Sequence, residues 1–233
     1  MDAEKNKLTI GQIIFLLIYP LIYPALTLGL AGDWLWVEGW LWAGSLVAVI
    51  YISCIYLSIK DPALLKERLQ MPGSKNQKSW DKILITIFFI GFLVWLVVMP
   101  LDAKRFGWSP EFPLWLKIIG GIATLIAWVL TFLVLRENTF ASSLVRIQAE
   151  RKQKVISTGP YSIVRHPMYA GGLLWLFGTP LLLGSLYGLL IAFLLLGWLV
   201  IRTLKEEQML KEELEGYESY TQKVKYRFIP KVW

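Results

Sequence analysis

Apolar residues in this chain fall in long runs without charge. The first, 8–30, holds 23 uncharged residues, which at about 1.5 Å per residue can cross a hydrocarbon core of about 30 Å. Three more uncharged runs, 39–59, 83–101 and 118–135, are each close to the length of one crossing. Trp34, Trp36, Trp40, Trp42, Trp80, Trp108 and Trp115 stand at their ends, where amphipathic rings settle between lipid and water. The first run is preceded by Lys5 and Lys7 and followed by small residues, as in a cleavable signal, but it is longer than such a signal and contains Pro20 and Pro24.

The last run, 168–201, has 34 uncharged residues, about 51 Å as a single helix and too long for one ordinary crossing. Gly184-Ser185 divides it into halves of 16 residues, and Pro180 can kink the first. This predicts a tight helical hairpin with short arms. The expected fold class is all-α: a multi-pass transmembrane helical bundle of about six spans, ending in that hairpin. Three spans fall in 1–112; the hairpin, an inner-face segment and a C-terminal cytoplasmic helix fall in 113–233.

Composition agrees: 56% of the 233 residues are hydrophobic and 18% charged, with a mean hydropathy of +0.53, against about a quarter charged in soluble domains. A disordered chain is excluded, and one cysteine excludes a disulfide framework. The 24 basic against 17 acidic residues could suit nucleic acid, but their placement gives another reading. With the N-terminus inside, 21 of the 24 fall on one side: Lys5 and Lys7, six in 60–82, six in 136–165, and seven from Arg202 onward. The basic excess is therefore an orientation signal, with both termini cytoplasmic and the membrane, not nucleic acid, as the partner.

Ionisable and turn residues collect between Arg136 and Gly172. Residues 141–152 read as a short interfacial amphipathic helix presenting Leu144, Val145 and Ile147 to lipid or core, and 154–158 as extended chain stopped by Gly159-Pro160. In Arg165-His166-Pro167 the proline suits a first helical position, which puts His166 at the N-cap of the hairpin. The free N–H groups near 168–170, with Arg165, then form a carboxylate or phosphate site; alternatively Arg165 snorkels to lipid phosphates and His166 only caps. His166 is the one histidine and Cys54, a core residue in a span, the one cysteine, so no metal cofactor is expected. Nucleotide-binding glycine fingerprints are absent. Residues 202–215 read as a polar continuation of the second arm, with Arg202, Glu206 and Met209 on one face. Arg202 and Glu206 either pair with each other or hold different parts of a polar ligand. Glu207, Glu212, Glu213, Glu215 and Glu218 read as a solvated face.

The stretch GPYSIVRHPMYAGG (159–172), then Arg202-x-x-x-Glu206-Glu207, then Tyr217-x-x-Tyr220, Val224 and Tyr226-Arg227-Phe228-Ile229-Pro230, resembles the isoprenylcysteine carboxyl methyltransferase family. That family is part of a wider group of integral-membrane methyltransferases that includes phospholipid N-methyltransferases. The resemblance implies an S-adenosyl-L-methionine-dependent methyl transfer to a lipid or lipidated acceptor at the cytoplasmic face, most simply to the carboxylate of an isoprenylated cysteine. It implies a cofactor enclosed by Gln148, Lys154, Val155, Ile156, Ser157, Tyr161, His166, Pro167, Met168, Tyr169 and Glu206, with Arg202 as the catalytic, substrate-facing group. The family's Val-Pro-Arg ending appears here as Val224-Lys225-Tyr226-Arg227, a departure at Arg227. A phospholipid amine or small thiol is an alternative acceptor, and the distantly similar sterol reductases would make the chain an NADPH-dependent oxidoreductase.

Overall fold

The computed structural model describes residues 8–73 and 76–233, and among them every regular element is helical. Lys5, Lys7 and Lys75 of the basic count lie outside the described residues. The first apolar run forms α1 (Ile10–Ile18) and α2 (Ile22–Ala31), joined by one tight turn over Tyr19–Leu21 where Pro20 withholds its N–H. α3 (Val37–Lys60) is followed by the short helix α4 (Pro62–Arg68), whose first turn is capped by the Asp61 carboxylate on the Leu64 N–H. α5 (Ser79–Pro100) ends in one wide turn over Leu101–Phe106, and α6 (Leu114–Glu137) returns.

The hairpin forms where the sequence places it. α7 (Pro167–Leu183) stops at Gly184, whose φ of +82° favours glycine, and α8 (Leu186–Glu213) starts from a Ser185 cap on the Gly188 N–H. Asp102 fixes this turn from the end of α5: its Oδ2 accepts 2.6 Å bonds from the Ser109 and Ser185 hydroxyls. α8 is 28 residues long, about 42 Å, so it carries the polar sequence beyond Ile201 without a break. α9 (Tyr217–Lys223) turns back, and the chain end runs beside the start of α7.

Among the described residues, five helical stretches, counting α1–α2 and the extended α5 as one each, are long and apolar enough to cross a membrane. The sixth expected crossing is α7, whose 17 residues rise about 26 Å. It packs most extensively against α6, across Gly120, Thr124 and Ala127 on one side and Gly171 and Gly178 on the other. Small residues let the backbones approach: a Cβ on Gly120 would stand 2.3 Å from the Leu182 N and 2.6 Å from the Gly178 O. The tryptophans divide. Trp34, Trp40, Trp108 and Trp115 are exposed, but Trp36 and Trp42 are core, and the Trp42 indole N–H donates to the Thr179 hydroxyl of α7 at 3.0 Å.

Gly120→Ala is expected to lower thermal stability in detergent by several degrees, because backbone must move and overpacking costs about 1–3 kcal/mol. Gly121→Ala, whose Cβ would meet only the Leu182 side chain at 3.6 Å, is expected to melt within a degree or two of the parent. Equal melting of the two variants would contradict the close crossing.

Candidate active site

At the end of the bundle opposite the Gly184-Ser185 turn, charges are buried and each is answered. Asp81, in the first turn of α5 and fully buried, accepts from Arg202 Nε at 2.9 Å, from the Val145 N–H at 2.9 Å and from Gln77 at 2.8 Å. Glu67 of α4 holds Arg146 bidentately, at 2.9 and 2.7 Å, and accepts from Ser142. Glu207 of α8 receives Arg165 Nε at 2.5 Å, Arg227 Nε at 2.8 Å and lies 3.3 Å from His166 Nε2. Arg165 also donates to the Val224 and Lys225 carbonyls, while the Arg165 and His166 N–H groups donate to the Tyr226 and Arg227 carbonyls. The C-terminal strap is thereby tied across the start of α7. A buried charge that loses its partner is strongly destabilising, so these ties fix where the surrounding chain lies.

Two of them hold the segment between α6 and α7. Residues 139–148 do not form the expected amphipathic helix; they are irregular, with one short turn over Ala149–Arg151. The reason is local competition for hydrogen bonds: Asn138 Oδ1 takes the Phe140 N–H, Ser142 Oγ takes the Leu144 N–H, and Asp81 takes the Val145 N–H. Leu144 and Val145 are buried nonetheless, and Ile147 packs against the Leu214, Tyr217, Tyr220 and Val224 cluster.

Between this segment, the first turn of α7, the polar part of α8 and α9 lies an open cleft, its empty space about 840 Å³ with the solvent-filled mouth included. Eight residues expected in a site line it: Lys154, Val155, Ile156, Tyr161, His166, Met168, Tyr169 and Glu206. The His166 and Tyr169 rings stack at 5.4 Å between centroids, and the Tyr169 hydroxyl donates to Glu206. Tyr161 accepts a bond from Asn138, and burial pushes its phenol up to about 12. Glu206 is the single carboxylate in the cleft wall among the described residues.

Four expected site residues stand elsewhere. Gln148 is fully buried behind the wall, donating to the Phe140 carbonyl and accepting from Arg151. Ser157 is exposed, and Pro167 is buried in the first turn of α7. Arg202 is buried beside the wall, its guanidinium 5.9 Å from the Tyr169 ring centroid and its Nη2 donating to the Ser143 carbonyl at 2.8 Å.

Of the two readings of Arg202 and Glu206, the mutual pair does not form; each takes a different partner, Asp81 and Tyr169. Two expectations about charge are corrected. Arg165 is not free for an anion at the α7 N-terminus, being bound to Glu207, and the Tyr169 and Ala170 N–H groups both turn to the His166 carbonyl. Glu207 is not on the solvated face that Glu212, Glu213, Glu215 and Glu218 occupy; it is 3% exposed. Asp81 and Glu67 were not singled out by sequence, although Asp81 is distinguishable as an acid two residues before the uncharged run of α5, and Tyr217 was marked only as part of the Tyr217-x-x-Tyr220 motif and given no role.

The family described as phospholipid methyltransferase matches residues 115–215, the α6-to-α8 unit that builds most of the cleft. Protein-S-isoprenylcysteine O-methyltransferase B of Arabidopsis thaliana is 29% identical over 141 residues, covering 59% of this chain and 68% of that protein. In sequence the chain is thus similar to the isoprenylcysteine carboxyl methyltransferases. A probable protein-S-isoprenylcysteine O-methyltransferase of Oryza sativa subsp. indica is 34% identical over 84 residues, 35% of this chain and 44% of that protein, so the match spans less than half of the rice relative. The fold is shared with a solved eukaryotic intramembrane Ras methyltransferase (isoprenylcysteine carboxyl methyltransferase), at a TM-score of 0.55 and 18% identity over 92% of this chain and 74% of that one. The matched family segment covers the α6-to-α8 part of the chain, in which buried charge shapes the cleft.

Glu207→Gln is expected to keep the shape of the site but remove the charge that Arg165, His166 and Arg227 share. Bonds to charged groups contribute about 1.5–3 kcal/mol each, so the melting temperature should fall and limited proteolysis should cut near residues 224–233 sooner. Parent-like melting and cleavage would contradict the tie.

Proposed function

We propose that this membrane methyltransferase uses S-adenosyl-L-methionine to methylate the carboxylate of an isoprenylated cysteine or a similar lipidated acceptor at the cytoplasmic face. The observation that carries this reading is the cleft itself, which combines one open carboxylate with a group of tyrosines and a buried, partnerless hydroxyl. Tyr217 lines the cleft, and its hydroxyl is buried with no hydrogen-bond partner among the described residues, a donor awaiting a ligand atom. Glu206 and the faces of Tyr161 and Tyr169 suit a ligand bearing positive charge and an aromatic base. Val155, Ile156 and Met168 supply apolar wall, and exposed Lys154 stands where a ligand carboxylate can be met. The cofactor would supply an electrophilic methyl on a sulfonium, open to in-line attack by a carboxylate oxygen.

The chain's own contribution is then alignment and dehydration. A carboxylate needs no base to become a nucleophile, so orientation, which can supply about 7–11 kcal/mol, carries much of the acceleration. His166, Tyr169 and Glu206 set one wall through ring stacking and the Tyr169–Glu206 hydrogen bond, while Arg202, held in place by Asp81 and Ser143, has its Nη1 unbonded among the described residues and open to the acceptor. Gln148, Ser157 and Pro167 would act at one remove, by shaping the loop and the helix start that carry the lining residues. The basic inner segments support a cytoplasmic cleft, with a lipid acceptor arriving sideways from the bilayer.

S-adenosylhomocysteine should raise the melting temperature of the detergent-solubilised chain and NADPH should not; stabilisation by NADPH alone would overturn the reading. His166→Ala or Glu206→Ala should weaken S-adenosylhomocysteine binding by about tenfold or more in calorimetry, in line with loss of a charged hydrogen bond. Arg202→Lys should lose methyl transfer while retaining that affinity, and parent-like turnover would remove Arg202 from the reaction.

A further inference from the structure

Arg68, Arg146, Arg165, Arg202 and Arg227 all touch residues of the cleft wall or of the strap across it, and four of them direct Nε–H at a carboxylate. Arg146 meets Glu67 at 2.9 Å, Arg165 and Arg227 meet Glu207 at 2.5 and 2.8 Å, and Arg202 meets Asp81 at 2.9 Å. Arg68 differs. It is the last residue of α4, and its Nη1 donates to the Ala141 carbonyl at 2.9 Å and approaches Met168 Sδ at 3.8 Å. Nε and Nη2 have no hydrogen-bond partner, and no carboxylate lies within 4.0 Å, among the described residues. The electrostatic neighbours are the Cys54 thiol and the Tyr161 phenol, both uncharged at neutral pH, and burial draws the guanidinium pKa below the usual arginine range.

Arg68 is half-buried, and a partly desolvated cation without a counter-charge leaves its open edge to water or to an anionic ligand. Every comparable arginine around the cleft has been given its acid by the fold, and this one has not. The edge left open, Nε with Nη2, is the edge by which Arg146 grips Glu67 and by which guanidinium holds a carboxylate with two parallel bonds. Its surroundings are amphipathic. Ala141, Tyr161 and Met168 line the cleft on one side, and Leu57, Leu64, Val134 and Leu135 form an apolar cluster packed against the same Tyr161 and Met168 on the other. A ligand for this edge carries an anionic head, with apolar contact offered by the cleft-lining Tyr161 and Met168 beside it.

We propose that Arg68 receives the acceptor's carboxylate on its Nε–Nη2 edge, as a specificity-determining residue contributed by the N-terminal half of the chain. The assignment rests on the carboxylate-methylating reading above. It gives the short helix α4 a part in acceptor recognition, and it supplies a two-point contact by the one edge that Arg202, with Nε and Nη2 already bonded to Asp81 and Ser143, cannot present in full.

The test uses the full chain in detergent, with an amine-blocked S-farnesylcysteine as carboxylate probe and the corresponding carboxamide as neutral probe. Parent, Arg68→Met and Arg68→Lys are compared for competitive binding of both probes, for KM and kcat, and for S-adenosylhomocysteine affinity. The parent should prefer carboxylate over carboxamide by about tenfold or more, the effect of a charged two-point contact. Arg68→Met should abolish that preference, and Arg68→Lys should restore part of it, with carboxamide binding and S-adenosylhomocysteine affinity within about twofold of the parent. An unchanged preference in Arg68→Met overturns the proposal, as does equal loss for both probes. A fall confined to S-adenosylhomocysteine affinity overturns it in favour of the cofactor's own carboxylate, and dependence on anionic lipid without a change in preference overturns it in favour of a headgroup phosphate. A parent that methylates no carboxylate overturns the functional reading, and the binding preference then decides Arg68 separately.

Discussion

Asp81 and Glu207 are each shared by several segments, and the cleft end of the bundle depends on that sharing. Asp81 joins the start of α5 to α8 through Arg202 and to the irregular segment through the Val145 N–H. Glu207 joins α8 to the start of α7 through Arg165 and His166 and to the strap through Arg227. A bilayer gives little energetic reason for one apolar helix to choose another. Burying charge does give one, because an acid removed from water has to find specific cations and N–H groups, and only one arrangement of chain satisfies them all. The cleft is the space left when those demands are met.

That constraint explains why lining comes from coil and helix ends. Residues 139–148 carry no continuous helix to place Ala141, Ser142 and Val145; side chains from α4 and α5 place them by holding Ser142 and the Val145 N–H. α8 continues past the apolar run because it must deliver Glu206 to the cleft and Glu207 to the opposing arginines, two adjacent acids with different surroundings. The hairpin geometry reaches the site from the far end, where Asp102 clamps the Ser185 turn and the glycines of α6 and α7 bring the two helices together. The family resemblance spans the elements that build this unit.

Much of the architecture was legible in the residues. Uncharged runs marked the spans, and Gly184-Ser185 marked the turn because a left-handed residue followed by a hydroxyl cap is a local instruction. His166 before Pro167 gave the N-cap for the same reason. Long-range pairing left weaker traces. Nothing local distinguishes buried Glu207 from exposed Glu212, since the difference is the arrival of Arg165 and Arg227 from elsewhere in the chain. Trp42 resembles the other helix-end tryptophans until Thr179 meets its N–H. The amphipathic pattern of 141–152 is genuine, as buried Leu144 and Val145 attest, but Asn138, Ser142 and Asp81 capture the N–H groups a helix needs. Arg68 is one of six basic residues in 60–82, and its lack of an acid is a property of the folded neighbourhood alone.

The chemistry of the transferred methyl group tests the central claim most directly. The purified chain, given methyl-labelled S-adenosyl-L-methionine and an amine-blocked S-farnesylcysteine, should form a labelled product that releases its label as volatile methanol in mild base, because a carboxyl methyl ester is hydrolysed there. A labelled product stable to base, formed with a phospholipid amine or a thiol in place of the carboxylate, would contradict it.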